Sequence, residues 1–284
     1  MKIQYLFSVN IVLILTLTLF LNSCTSIKKE NDWTKENLKE MVNSISEFSY
    51  AAVEKSGSIE KENHSTKNGF QTKYNRSGNI AERIHFSNGN IHSKSIYKYD
   101  EHRDNVEEHH YNFLGKLNSK WTYLYNEIGN EIEGKNYNSD GQLLFKRTYK
   151  YDGSGNKIEE TVYNSNEKLI SKSTYHYDEK GNKIKKNQYN SDGSLQSKLT
   201  YLYDENNNII TKIHNYSDES LDFKLSYQYD QNKNIITENA YISNTEINLK
   251  WIYEFDLKGN WTKKTSFKDG IPEEIIERAY QYYK

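Results

Sequence analysis

The second tyrosine of the run Thr174-Tyr-His-Tyr-Asp178 recurs at Tyr99, Tyr125, Tyr151, Tyr177, Tyr203 and Tyr229, with Phe255 next in the series, and every step is 26 residues. A fixed period of this size marks one supersecondary unit written repeatedly, each copy unable to bury its apolar face alone. Two turn signals alternate within the unit. One is Asp-x-x-Gly-Asn (Asp152–Asn156, Asp178–Asn182, Asp256–Asn260) and the other is Asn-Ser-Asp-Gly (Asn138–Gly141, Asn190–Gly193). Both place Gly or Asn where a hairpin end needs positive φ. Two strands and two turns account for each repeat.

A two-residue loop at Asp192-Gly193 sets Ser191 opposite Ser194 and Ile184 opposite Tyr201. Side chains alternate along a strand. One face then carries Ile184, Leu195, Leu199, Tyr201 and Tyr203, and the other Lys183, Lys185, Asn187, Tyr189, Lys198 and Thr200. The expected fold is all-β: an antiparallel β-hairpin repeat array over residues 70–284, coiled into a solenoid, spiral or partial shell. Twist forbids so wide a sheet from lying flat.

Residues 1–23 read as a lipoprotein signal peptide. An apolar run, densest at Ile11–Leu21, ends in Leu21-Asn22-Ser23-Cys24, which resembles the bacterial lipobox. Cys24 is the expected lipidation site and the sole cysteine, so no internal disulfide or Cys-based zinc site is available. Residues 24–31 read as a tether. Trp33, Leu38, Met41, Val42, Ile45, Phe48 and Ala52 recur at helical spacing, so residues 32–55 are expected to form an amphipathic capping helix. Residues 56–69 read as a linker.

The Tyr-x-Tyr-Asp-x-x-Gly-Asn pattern resembles the YD repeats of RHS-type proteins, and the closing unit from Tyr253 resembles that of YD-repeat lipoproteins of Bacteroidetes-type bacteria. The resemblance implies hairpins wrapped into a shell or spiral, placement at the cell surface, and carbohydrate binding in some members.

Formal net charge is −1 with both signs interspersed, which points away from nucleic acid. The Asp-x-x-Gly-Asn turns offer too few oxygens for calcium. Glu107-Glu108-His109-His110 alternate between faces and cannot converge on one metal. No nucleophile motif or phosphate loop is present, so neither enzyme activity nor a cofactor is expected. One column invites a functional reading: Tyr111, Tyr137, Tyr163, Tyr189, Tyr241 and Phe267, placed on the polar face beside Lys, Asn and Thr. These rings are candidates for stacking on sugars, or for packing on one another. The expected protein is a lipid-anchored outer-membrane or cell-surface binding protein with glycan as first ligand class. The alternative is a structural or protein-interaction module of an envelope or secretion system.

Overall fold

The computed structural model describes residues 30–62, 68–242 and 245–284; the segment expected to be a signal peptide and Cys24 lie outside them. It contains one helical turn, α1 (Asp32–Lys35), and nineteen strands. The N-terminal strands are β1 (Val42–Lys55), β2 (Ser58–Lys61), β3 (Asn68–Tyr74), β4 (Ile80–Ser87), β5 (Asn90–Tyr99) and β6 (Asn105–Asn112). The middle strands are β7 (Leu117–Tyr125), β8 (Glu131–Asn138), β9 (Leu143–Tyr151), β10 (Lys157–Asn164), β11 (Leu169–Tyr177), β12 (Lys183–Asn190) and β13 (Leu195–Tyr203). The last are β14 (Ile209–Tyr216), β15 (Leu221–Tyr229), β16 (Ile235–Ile242), β17 (Thr245–Phe255), β18 (Trp261–Lys268) and β19 (Ile271–Tyr282).

Every neighbour is antiparallel from β3 to β19, and β1 closes the ring by pairing β19 on one side and β3 on the other. The result is an 18-strand β-barrel, with β2 a short appendage on the far end of β1. This corrects the expected solenoid or partial shell. Eighteen strands at ~4.8 Å spacing and ~40° tilt give a circular barrel roughly 35 Å across, too wide for side chains to fill.

The segment expected to be the capping helix makes the closure. Apart from α1, its core is β1, whose Val42-Asn-Ser-Ile-Ser-Glu-Phe-Ser-Tyr run alternates faces as a strand does. Helical spacing was a coincidence of Ile45 and Phe48; the β-branched and serine content suits a strand better. The expected linker likewise contains β2 and the start of β3. At the seam, Arg278 Nε donates to Glu47 Oε2 at 2.6 Å and its guanidinium lies 3.9 Å over the Trp261 ring. Gly69 permits β1 and β3 to approach: a Cβ there would sit 2.0 Å from the Glu47 carbonyl oxygen.

The repeat register matches expectation along the middle of the hairpin, with Lys185 opposite Thr200 and Lys186 opposite Leu199. The turn does not. Gly193 N–H donates to the Asn190 carbonyl and Asn190 N–H to the Ser194 carbonyl, so the loop is a four-residue turn with Gly193 at φ 84°. The extra residue is absorbed as a bulge after Gln188/Ser197, shifting the next pair to Tyr189/Leu195. A second bulge, at the other rim, lies between Lys183 and Lys185.

These bulges overturn two apolar columns of the expected core. Ile158, Ile184 and Ile210 are the extra residues of their bulges and are 36–37% exposed. Leu195 pairs with Tyr189 on the opposite face from Tyr201. A bulge flips every side chain beyond it, so Lys183, expected on the polar face, joins the tyrosines.

The second tyrosine of each repeat has a defined task. The β12–β13 ladder ends at Lys185/Thr200, and beyond it Tyr203 Oη donates to the Lys183 carbonyl at 2.8 Å. The same bond runs from Tyr99 to Ile80, Tyr125 to Asn105, Tyr151 to Glu131, Tyr177 to Lys157 and Tyr229 to Ile209, at 2.7–2.9 Å. Each hydroxyl thus ties the splayed end of a hairpin. Phe255 has no hydroxyl to offer Ile235.

Tyr203→Phe is expected to cost about 1–2 kcal/mol by leaving a backbone carbonyl without its donor, and Phe255→Tyr to stabilise by about 0.5–1.5 kcal/mol by adding the missing bond. Urea denaturation of both variants checks this; equal midpoints would remove the role. Gly69→Ala should cost more, about 1–3 kcal/mol, by overpacking the seam, and proteolysis should then begin in β1.

Candidate functional site

The two faces of the wall are distinguished by the segment before β1. Asn31 Nδ2 donates to the Ser77 carbonyl on the β3–β4 turn, and Asn37 Nδ2 to the Asn232 carbonyl on the β15–β16 turn. Those turns are six strand spacings apart along the rim, or ~29 Å. The link between the two asparagines, one helical turn included, spans roughly 15 Å. It therefore cuts across the concave side. There Trp33 and Leu38 pack against Val42, Ile45 and Tyr74. Glu36 accepts from Tyr74 Oη at 2.7 Å and Arg83 Nη2 at 3.1 Å. The face bearing Tyr74 and Arg83 is the lumen.

Strand pairing carries that assignment around the barrel. Tyr123, opposite Gly134, and Tyr149, Tyr175, Tyr201, Tyr227 and Tyr253 face the lumen, the last five with charged partners from the neighbouring strands: Glu160 beside Tyr149, Lys186 beside Tyr175, Lys212 beside Tyr201, Glu238 beside Tyr227 and Lys264 beside Tyr253. Ammonium groups lie over ring faces. Lys157 Nζ is 4.8 Å from the Tyr149 ring and 5.2 Å from Tyr175, and Lys183 Nζ is 5.4 Å from Tyr175 and 5.3 Å from Tyr201. Glu160 accepts from Tyr175 Oη at 2.8 Å. Burial pushes the Glu238 carboxyl up and the Lys264 ammonium down, the signature of a desolvating wall.

The outer face is different. Lys73–Glu82–Lys94, Lys98–Glu107–Lys120 and Lys150–Glu159–Lys172 form ion triads across three strands each, at 2.5–2.8 Å. Lys135 pairs Glu133, Lys198 pairs Glu219 and Lys263 pairs Glu254. Thr122, Thr148, Thr174 and Thr200 stand between them. A barrel that crosses a bilayer needs an outward apolar band about 25 Å tall. On this wall the exposed Leu124, Leu144, Ile170, Leu202 and Ile252 are interspersed with those charges. No helix among the described residues is long and apolar enough to cross a membrane.

The predicted stacking column lies on this outer face, close to the Asn-Ser-Asp-Gly rim. Tyr111, Tyr137, Tyr163 and Tyr189 pair with Lys94, Lys120, Lys146 and Lys172 on one side and Leu117, Leu143, Leu169 and Leu195 on the other. Tyr241 pairs with Lys224 and Phe267 with Lys250. The rings are separated by intervening strands rather than stacked on one another. Lys146 Nζ sits 5.4 Å over the Tyr163 ring, and Asn187 Nδ2 reaches Tyr189 Oη at 3.4 Å. Tyr216, displaced by one residue, donates instead to Asp222 at 2.8 Å. The polar face on which sequence reasoning set this belt is the outer wall, and the lumenal Tyr–Lys wall was missed, because the bulge that turns Lys183 inward has no one-residue signature.

The remaining candidates resolve locally. Asp178 Oδ1 accepts the backbone N–H groups of Lys180 and Asn182, and Oδ2 accepts from Asn182 Nδ2, so the carboxylate is engaged by its own turn. His109 bonds Glu107 outside and His110 bonds Ser95 inside, so the histidines do not converge.

No known family profile and no curated protein matches the chain. Among solved structures it is similar to a porin-like protein from Bacteroides uniformis, with a TM-score of 0.47 and 11% identity over 84% of this chain and 98% of that one. A porin-like protein from Bacteroides vulgatus has a TM-score of 0.31 and 10% identity, over 86% and 100%. The Photorhabdus luminescens Tc holotoxin pore has a TM-score of 0.37 and 13% identity, over 81% of this chain but 14% of that one. The YD/RHS resemblance is corrected: no such family is matched, and the hairpins close into a complete barrel rather than the shell or spiral it implied.

Lumenal tyrosines set the alkaline limit of the fold. Burial first, and then nearby carboxylates, push the Tyr151, Tyr227, Tyr253 and Tyr282 phenols up to about 12 from an ordinary 10.0. The folded state favours the protonated form, so this contribution is full below pH 10 and is lost as pH rises from 10 towards 12. Tyrosinate absorbance and circular dichroism should change together in that window; ionisation of these groups without loss of structure would contradict it.

Proposed function

We propose that the chain is a water-exposed β-barrel held at the bacterial envelope by a lipid on Cys24, and that it binds or scaffolds rather than catalyses. The carrying observation is the outer wall, laced with Lys–Glu–Lys triads where a membrane-embedded barrel needs hydrocarbon. A charged wall of this kind is tethered to a bilayer, not threaded through it. The Leu-x-Ser-Cys sequence supplies the tether.

The outer belt of tyrosines is the first surface for a ligand. Its rings alternate with lysine ammonium groups and leucines, with Asn187 amide and threonine hydroxyl groups beside them. Apolar ring faces next to hydrogen-bonding groups suit pyranose rings. Glycan is the ligand class this surface fits. Tyr163→Ala with Tyr189→Ala is expected to lower signal on a glycan array by roughly tenfold or more, for two lost aromatic contacts at about 0.5–1.5 kcal/mol each. Unchanged binding, or no glycan bound by the wild type, sinks the glycan reading and favours a protein partner captured by crosslinking. Cys24→Ser should release the protein from membranes into the soluble fraction; a variant that stays in the membrane fraction would contradict the tether.

A further inference from the structure

Strands β10 to β14 carry a positively charged sector on the lumen wall. Lys186 lies opposite Tyr175 and Leu199, and Lys212 opposite Tyr201, so both share the lumenal face. The bulge after Lys183 turns that residue to the same side, where its ammonium is held between the Tyr175 and Tyr201 rings. Lys212 Nζ stands 5.1 Å from the Tyr227 ring. Among the described residues, none of these three ammonium groups has a carboxylate at ion-pair distance. That contrasts with the outer wall, where lysine after lysine is paired. The flanking carboxylates are held off at longer range: Glu160 is engaged by Lys157 and the Tyr175 hydroxyl, and Glu238 lies across from Tyr227, where Lys212 and Lys264 act on it without an ion-pair contact. All three lysines are half-buried, so they are partly desolvated but still reached by solvent. Burial, and then Lys157, Lys186 and Lys212, push the Lys183 ammonium down against the smaller opposing pull of Glu160, as expected where like charges crowd on a half-buried wall.

Like charges gathered on a low-dielectric wall are costly, and an anion entering between them recovers that cost. The tyrosine faces hold the Lys183 and Lys212 ammonium groups in place before any ligand arrives, which reduces the ordering to be done on binding. Gln188 and Ser197 project from the same face and add an amide and a hydroxyl. We propose that Lys183, Lys186 and Lys212 form a lumenal oxyanion site that takes the carboxylate or sulfate of an acidic sugar. The site is separate from the outer tyrosine belt and stands or falls independently of it.

The test uses the intact chain at fixed ionic strength, titrated calorimetrically with glucuronate, inorganic sulfate and glucose. Sulfate should bind, and glucuronate should bind more tightly than glucose. Lys183→Gln with Lys212→Gln should weaken glucuronate by roughly tenfold or more, each charge-assisted bond being worth at least one decade. Lys98→Gln with Lys150→Gln, on the outer wall away from the tyrosine belt, should leave it unchanged. Sulfate binding without glucuronate binding overturns the acidic-sugar assignment. Equal binding of glucose, or equal loss in the outer-wall variant, overturns the site. If the lumenal variant fails to fold, Lys183→Arg with Lys212→Arg decides: it keeps the charge and should keep glucuronate binding, and loss of binding in that folded variant also overturns the site.

Discussion

The bond from a repeat tyrosine hydroxyl to a backbone carbonyl on the preceding strand organises this protein. In each hairpin the ladder stops short of the Asp-x-x-Gly-Asn rim, at Lys185/Thr200 in the β12–β13 pair. The carbonyl beyond it would be left without a donor, and a buried backbone carbonyl in that state is costly. Tyr203 satisfies it. The splay and bulge it tolerates bend the sheet in the same sense at every repeat, and repeated bending is what closes a wide antiparallel sheet. The residues most often repeated in the chain are therefore joints first and apolar filling second.

Closure transfers the burden of core formation to one place. The hydrophobic cluster of Val42, Ile45 and Tyr74, with Trp33, Leu38, Tyr280 and Tyr282 around it, sits where the segment before β1 crosses the rim. Around the remaining wall the burial is of mixed groups: tyrosine rings flanked by Lys and Glu inside, threonine and ion pairs outside. A barrel as wide as eighteen strands cannot be filled by its own side chains. Its stability is distributed along the ladder, strand by strand, and its lumen is available for polar chemistry.

The two walls separate two kinds of electrostatics. Outside, Glu107 is held well below the usual carboxylate range, to about 2, by its bonds to Lys120 and Lys98, and lysines meet carboxylates at ion-pair distance across neighbouring strands. Inside, burial dominates and lysines cluster over aromatic faces without equal compensation. Ion-paired charges keep the outer wall compatible with water, and an under-compensated cluster on the inner wall favours an anion.

The sequence by itself determined the 26-residue hairpin, its two turn chemistries and the mid-strand register. All of these are local or nearest-neighbour properties, set by Gly and Asn at positive φ and by period-two alternation. The tertiary structure decided the rest. Ile184 and Leu195 look like core from alternation alone, yet a bulge at each strand start turns them outward and Lys183 inward. Residues 42–55 look helical by spacing, yet two open sheet edges, β19 and β3, recruit them as a strand. Bulges and closure depend on what stands at the far side of a hairpin or of the whole sheet, and that information is not held in any single window of the chain.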